Sequence, residues 1–547
     1  MGGVNGPNES RMGKKWKKEK MNNKERKNLE NYYQQLMKVE NWENIPIEKA
    51  LNLLGVLIDI SLDLKRPEGL QKALNLSKEL EKRKGISSEQ KALLYYFVSN
   101  AWSNLKCVKE KNSSENWNWR AKEIGNSLLY LRRCIKEEGF KKLPSIRKAQ
   151  IYTNLGNTFS EIGRSVESIE YFDKALKIFP NFPMALGNKG EALLSLAGIL
   201  YDPCHREVLL RHAYENLDKA LSYSQKYQIR DSAKIEFEKT LKKIEEFPFQ
   251  CGNQNINLNN FSLGDSIEEI SYRKWALEHR LFLNPLNDIG SYSLAARDVL
   301  TTPSIIVREG EGPYYHGFYN QMKQEFVSAR YLYYEGINSY EPHFSDREVL
   351  LYNTLDYPVY SFSAEKIKIA FRMVYSILDK LSYFLNDYLR LNINERRVSF
   401  KSFWYEKQDR QKGLRKEFVN RPNWPLRGLF WLSKDLFEST PGFKEYLEPE
   451  AQELHKVRNC LEHRYLKLHS EEWPRLQKNG FFIDHLAFSM SRFDFEAKAL
   501  KLLKLVRSAL IYLSLAIHVE ECLRNRNLKS STIVSMQLDV WKDEWKI

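Results

Sequence analysis

Tyr152-Thr153-Asn154-Leu155-Gly156-Asn157-Thr158-Phe159, continued by Gly163, Ser168, Phe172, Ala175 and Pro180, decides how the N-terminal half is read. Its apolar residues recur at three- and four-residue spacing, the period of a helix. Gly156, Ser168 and Ala175 are small where two antiparallel helices would approach closely, and Tyr152, Leu155, Phe159 and Phe172 fill the space between them. Pro180 stops the second helix. A further copy starts at Leu186, Gly190 and Leu193 and, after an insertion near Asp202-Pro203, continues in Ala213, Leu217 and Ala220. Weaker echoes pair Leu51, Leu54, Gly55 and Ile58 with Leu70 and Ala73, and Tyr96 and Asn100 with a helix near Leu128–Ile135. Residues 29–245 are therefore expected to form three to five helix pairs around one superhelical core.

This spacing resembles the 34-residue tetratricopeptide pattern. The resemblance implies an array that binds a protein or peptide on its concave face and does no chemistry itself.

The whole chain fits a largely helical fold. It has 547 residues, 42% hydrophobic and 13% aromatic, enough for two or three packed domains. Strand-like alternation is scarce, so the fold class expected is all-α. The net charge is +15, which favours a polyanionic partner such as nucleic acid. Residues 1–28 hold nine Lys or Arg against three Glu and read as a disordered basic tail. The six cysteines form no C-x-x-C pair, so zinc spacing is absent and reduced thiols in a cytoplasmic protein are expected. With no unbroken run of 18 apolar residues and no apolar core to a leader, neither a membrane span nor a signal peptide is expected.

Residues 246–313 read as a linker or connector. Cys251–Leu263 is rich in Asn and Gly, and Asn284-Pro285-Leu286-Asn287-Asp288 is a turn sequence. From 314 to 547 four long amphipathic segments follow: Gly317–Gly336, Ser363–Leu391, Pro449–His469 and Phe493–Arg524. Ser363 suits an N-cap and Pro449-Glu450 a first helical turn. Four such helices imply an antiparallel bundle. An insertion at 392–448 carries Arg410, Lys412, Arg415 and Lys416 among Trp404, Tyr405 and Trp424. Interleaved cations and aromatics can grip an RNA backbone and stack bases, and the same residues can instead form a solvated cap over buried rings.

The third segment reads Leu454-His455-Lys456-Val457-Arg458-Asn459-Cys460-Leu461-Glu462-His463-Arg464. At helical spacing His455, Asn459 and His463 share one face, Arg458 and Glu462 form an i,i+4 pair, and Leu454, Val457 and Leu461 supply a buried stripe. Arg458, a polar residue at 459 and His463 resemble the R-x-x-x-x-H motif of the HEPN superfamily. A second match, Arg464–His469, is set aside because Asn459 follows the first Arg and the first match is expected mid-helix. The stretches Leu283–Asp288 and Lys323-Gln324-Glu325-Phe326 are also similar to a bacterial HEPN subfamily that carries tetratricopeptide repeats.

The resemblance implies a tetratricopeptide-like array followed by a HEPN-like four-helix bundle with insertions. It also implies a ribonuclease needing no metal or other cofactor, with Arg458 and His463 as catalytic residues. RNA carries its own nucleophile, the 2′-OH; a histidine can move the proton and an arginine can hold the phosphate. The products would be a 2′,3′-cyclic phosphate and a 5′-OH. One motif supplies half of such a site, so a homodimer through the bundle is expected. Asn459, Glu462 and His455 take supporting roles, and Glu325 and Arg330 are candidates for the cleft. A toxin or anti-phage effector controlled through the array is the expected setting. The competing expectation is a non-enzymatic scaffold, or an RNA- or nucleotide-binding protein, whose bundle only dimerises.

Overall fold

The computed structural model describes residues 23–546 except 41, 110–118, 228, 248–256, 340, 438–450, 471–483 and 528–535. Among these the chain is nearly all helix. Helix α1 is Asn23–Lys38. The helix pairs follow as α2 (Ile47–Asp63) with α3 (Pro67–Lys82), α4 (Ser88–Lys109) with α5 (Lys122–Lys136), α6 (Ser145–Glu161) with α7 (Ser165–Ile178), and α8 (Pro183–Ala197) with α9 (Pro203–Tyr227). Helix α10 (Asp231–Glu245) closes the array. A Cβ placed on Gly156 would lie 2.5 Å from the Phe172 ring, so the α6–α7 pair is as tight as its small residues require. Of the tail expected to be disordered, residues 1–22 lie outside the described residues, while 23–28 already belong to α1. That helix is held by burial of Tyr33 and Leu36.

The connector packs on the C-terminal helices, with Asp298 bonded to Arg330 and Asp288 to Arg507. Helix α11 (Ile267–Glu278) has Ser266 as N-cap, its hydroxyl accepting from the Glu269 amide at 3.1 Å. Asn284 caps the 3₁₀ turn Pro285–Asp288 in the same way. The bundle is built from α12 (Tyr314–Asn338), α13 (Phe362–Tyr388), α15 (Ala451–His463) and α16 (Arg492–Asn527). Helix α13 is capped by Ser361, whose hydroxyl accepts from the Ala364 amide, two residues before the expected cap Ser363. The Pro449-Glu450 turn lies outside the described residues.

The third bundle helix is shorter than expected. It ends at His463, and Tyr465–His469 is strand β1, paired in parallel with β2 (Ala487–Ser491). The alternation Tyr-Leu-Lys-Leu-His, with Leu466 and Leu468 buried on one side, suits a strand better than a helix. Arg458–His463 therefore closes its helix instead of lying in the middle. The second match, Arg464–His469, spans strand, and its His469 is 1% exposed, with Nδ1 on the Asp356 carbonyl at 3.0 Å.

Within the insertion, α14 (Trp424–Phe437) joins the array to the bundle. Gly163, at φ +85, lets the α6–α7 turn meet the Trp424 carbonyl so closely that a Cβ there would sit 2.0 Å from its oxygen. Asp435 on α14 accepts two bonds from Arg132 (2.9 and 2.7 Å) and one from Arg164, both array residues. Arg164 also pairs with Glu167 at 2.6 Å, and Glu167 takes the hydroxyl of Tyr512 on α16. One large cluster of buried apolar residues runs through array, connector and bundle, and a small second cluster of Ala149, Ala175, Phe182 and Ala185 lies within the array. Helix α16 is long and apolar enough to cross a membrane by length and composition alone. However, 78% of its most apolar window is buried inside the protein, as in the core helix of a bundle.

Candidate active site

Helix α15 buries Leu454, Val457, Cys460 and Leu461 against the bundle. Each buried Leu or Val side chain contributes about 1.5–3 kcal/mol of hydrophobic stabilisation. The opposite side carries the polar residues. His455, Arg458 and Asn459 are half-buried, while Glu462 and His463 are exposed.

Three of these side chains form a chain with α13. Arg458 Nη1 donates to Asn459 Oδ1 at 3.2 Å. With its oxygen so engaged, the Asn459 amide nitrogen donates to His455 Nε2, also at 3.2 Å. That acceptor role places the imidazole proton on Nδ1, which lies 3.2 Å from the Tyr375 hydroxyl. The Arg458 guanidinium lies 5.7 Å from the centre of the Tyr375 ring. Asp379, one turn further along α13, accepts from the Phe400 amide at 3.3 Å. Burial raises its pKa and the nearby Arg458 opposes the rise. Burial, followed by Lys401 and Arg458, lowers the pKa of His455. His455 is thus held as a neutral imidazole that orients its neighbours.

Arg458 turns toward Tyr375 and Asp379, so the expected Arg458–Glu462 pairing does not form among the described residues. His463 has no hydrogen-bond or ion-pair partner among them and stands in solvent at the end of α15. Five helical steps lead from Arg458 to His463, about 7.5 Å along the axis and roughly 140° around it. One helix therefore presents the two groups to different sides. Arg372 on α13 donates to the Leu461 carbonyl at 2.5 Å, in the last turn of α15.

The other expected site residues fall elsewhere. Arg330 is 2% exposed. It donates to both oxygens of Asp298 (2.9 and 2.8 Å), to the Leu281 carbonyl (2.9 Å) and to the Tyr272 hydroxyl (2.7 Å), so it clamps the connector and lines no cleft. Glu325 is tied to Lys380 across the α12–α13 seam. In the insertion, Trp404 is fully buried with its indole N–H on the Phe400 carbonyl at 3.0 Å. Arg415 is buried with Nε on the Phe403 carbonyl at 3.0 Å. Trp424 lies under Arg427, 4.9 Å from its guanidinium. Of the expected RNA-binding set, Lys412 and Lys416 are exposed and Arg410 is half-buried. The rings there build a cap over α14, because large aromatic faces in a short insertion gain more from burial than from solvent.

Sequence reasoning missed Tyr375, Asp379 and Arg372. Their signal is the i, i+3, i+7 spacing of polar groups on the otherwise apolar stripe of α13. Among the described residues no three His, Cys, Asp or Glu side chains cluster as a metal site would need.

Residues 149–182 match the tetratricopeptide repeat family, the stretch that forms most of α6 and all of α7. Residues 306–520 match the family described as LA2681-like HEPN, a span that runs from just before α12 into α16. No curated protein matches the chain. A HEPN domain is compatible with nuclease activity, and a tetratricopeptide repeat with protein interaction. The chain thus combines a tetratricopeptide repeat with an LA2681-like HEPN domain whose R-x-x-x-x-H residues stand at the end of its third bundle helix.

Proposed function

We propose that this protein is an endoribonuclease that cuts RNA through attack of its own 2′-OH, leaving a 2′,3′-cyclic phosphate and a 5′-OH. The observation that carries this is the pairing of an exposed, unengaged His463 with an Arg458 held in place by the chain from Tyr375 through His455 and Asn459. His463 moves the proton and Arg458 binds the phosphate and offsets charge that develops on it. A divalent ion is not required by this chemistry, since the nucleophile belongs to the substrate.

The angle between Arg458 and His463 supports a site shared by two copies, with the arginine of one facing the histidine of the other. A surface for such pairing adjoins α15. The strap between α12 and α13 exposes Leu350 (84%) and Tyr352 (85%), and Leu486 beside β2 is 85% exposed. The strap is anchored next to the motif by the Val359 amide on the Leu468 carbonyl (2.7 Å) and by Tyr360 against Tyr465 (2.8 Å). Apolar patches of this kind mark association surfaces, and a two-fold axis makes such a patch self-complementary. The setting we favour is a cytoplasmic toxin or anti-phage effector controlled by a protein or peptide on the repeat array.

Sequencing of RNA 5′-OH ends after expression tests this reading. Wild type should generate new ends that His463→Ala and Arg458→Ala do not, and identical end profiles for all three would refute it.

A further inference from the structure

At the end of helix α15 the Cys460 carbonyl accepts from the Arg464 amide at 3.1 Å, the carbonyls after it have no partner within the helix, and their partial negative charge disfavours an anion there. His463 is the last residue of that helix, so any phosphate brought to its imidazole approaches the negative end. Arg372 occupies this position. Its Nη2 donates to the Leu461 carbonyl, two residues before His463, while the side chain as a whole remains exposed. Among the described residues this is the one hydrogen bond of a guanidinium that has five donors. Arg372 also continues the α13 stripe that faces α15. Asp379 stands near Arg458, Tyr375 meets His455, and Arg372 meets the final turn.

We infer that Arg372 is a phosphate-binding residue of the same site, holding an RNA phosphate at the last turn of α15 with the donors left free by the Leu461 carbonyl. This rests on the RNA-cleavage reading above. It adds, at the last turn of α15, a second cation to Arg458, which faces the same stripe of α13. The alternative is that Arg372 only caps the helix.

Glutamine separates the two, because Arg372→Gln keeps an N–H for the Leu461 carbonyl and removes the charge. Binding of a short fluorescein-labelled 2′-O-methyl oligoribonucleotide, which cannot be cut, is measured by anisotropy across a salt series on the full-length protein. Arg372→Gln should bind about tenfold more weakly, the loss of one charged hydrogen bond. Its slope of log K against log salt should be shallower by about 0.7, one phosphate contact to a single strand. Arg372→Lys should keep most of the slope. Thermal stability of Arg372→Gln should stay near wild type. Unchanged affinity and slope in Arg372→Gln would overturn this inference and leave the ribonuclease reading standing. Failure of the wild-type protein to bind the oligonucleotide at any salt concentration would overturn both.

Discussion

Asn459 serves two neighbours at once, accepting from Arg458 and donating to His455, and so ties Arg458, the arginine proposed to bind phosphate, to α13 through Tyr375. Asn459→Ala should release Arg458 from its orientation. Misplacement by about 1 Å can cost about 10²-fold in rate, so turnover should fall by that order while circular dichroism stays unchanged. Retained turnover would mean that Arg458 is oriented by other means. His455 carries a pH signature. Its pKa in the fold lies below the usual histidine value, chiefly through burial. The stability that this group contributes is complete above the unfolded value, about 6.5, and is lost as pH falls toward the folded value. In denaturant titrations from pH 7 to 5, His455→Gln should therefore lose less stability than wild type. An equal or steeper loss would contradict the assignment of a neutral imidazole. The motif residues themselves were legible in the sequence, because they lie on one short segment with a fixed period. Tyr375 and Arg372 were not, since they meet α15 across 80 and 89 residues of chain and only packing reveals the contact.

Helix α14 shows how far element-level reading extends. The basic and aromatic composition of the insertion was open to two interpretations, an RNA grip or a cap over buried rings. Burial of Trp404 and Trp431 settles it for the aromatic part as a cap. The sequence could not signal that Asp435 would receive Arg132 and Arg164 from the array, more than 270 residues away. All three groups are nearly fully buried, and removal of one member of a buried ion cluster leaves uncompensated charge. Asp435→Ala should lower unfolding free energy by about 3–5 kcal/mol in urea titrations. A change within about 0.5 kcal/mol would show that the array is not locked to the bundle through this residue. The end of α15 teaches a related lesson. Its helical pattern continued on paper to His469, but alternation from Tyr465 onward and pairing with β2 took over. That boundary moved His463 from mid-helix to an exposed end.

At the scale of the molecule, the array and the bundle share one core, fastened by α14, by Arg507 to Asp288 (2.7 Å) and by Arg330 to Asp298. The all-α class and the helix pairs were readable from periodicity because each pair satisfies its own pattern locally. The shared core was not, because it depends on how separate patterns meet. The strap is one of the apolar surfaces left exposed. Leu350→Asp with Tyr352→Asp should leave the fold intact, shift a dimer to monomer in sedimentation and abolish cleavage, since each copy would then hold half of a site. A double variant that sediments and cleaves like wild type would show that the strap takes no part in pairing or cleavage.

His463 is proposed to take part in cutting RNA at a 2′-OH. The most direct measurement incubates purified protein with a labelled RNA and with the same oligonucleotide made entirely of 2′-deoxy residues. Wild type should cut the RNA to a 2′,3′-cyclic phosphate end and leave the deoxy strand whole, while His463→Ala cuts neither. Cleavage of RNA by His463→Ala at the wild-type rate, or cleavage of the deoxy strand, would contradict it.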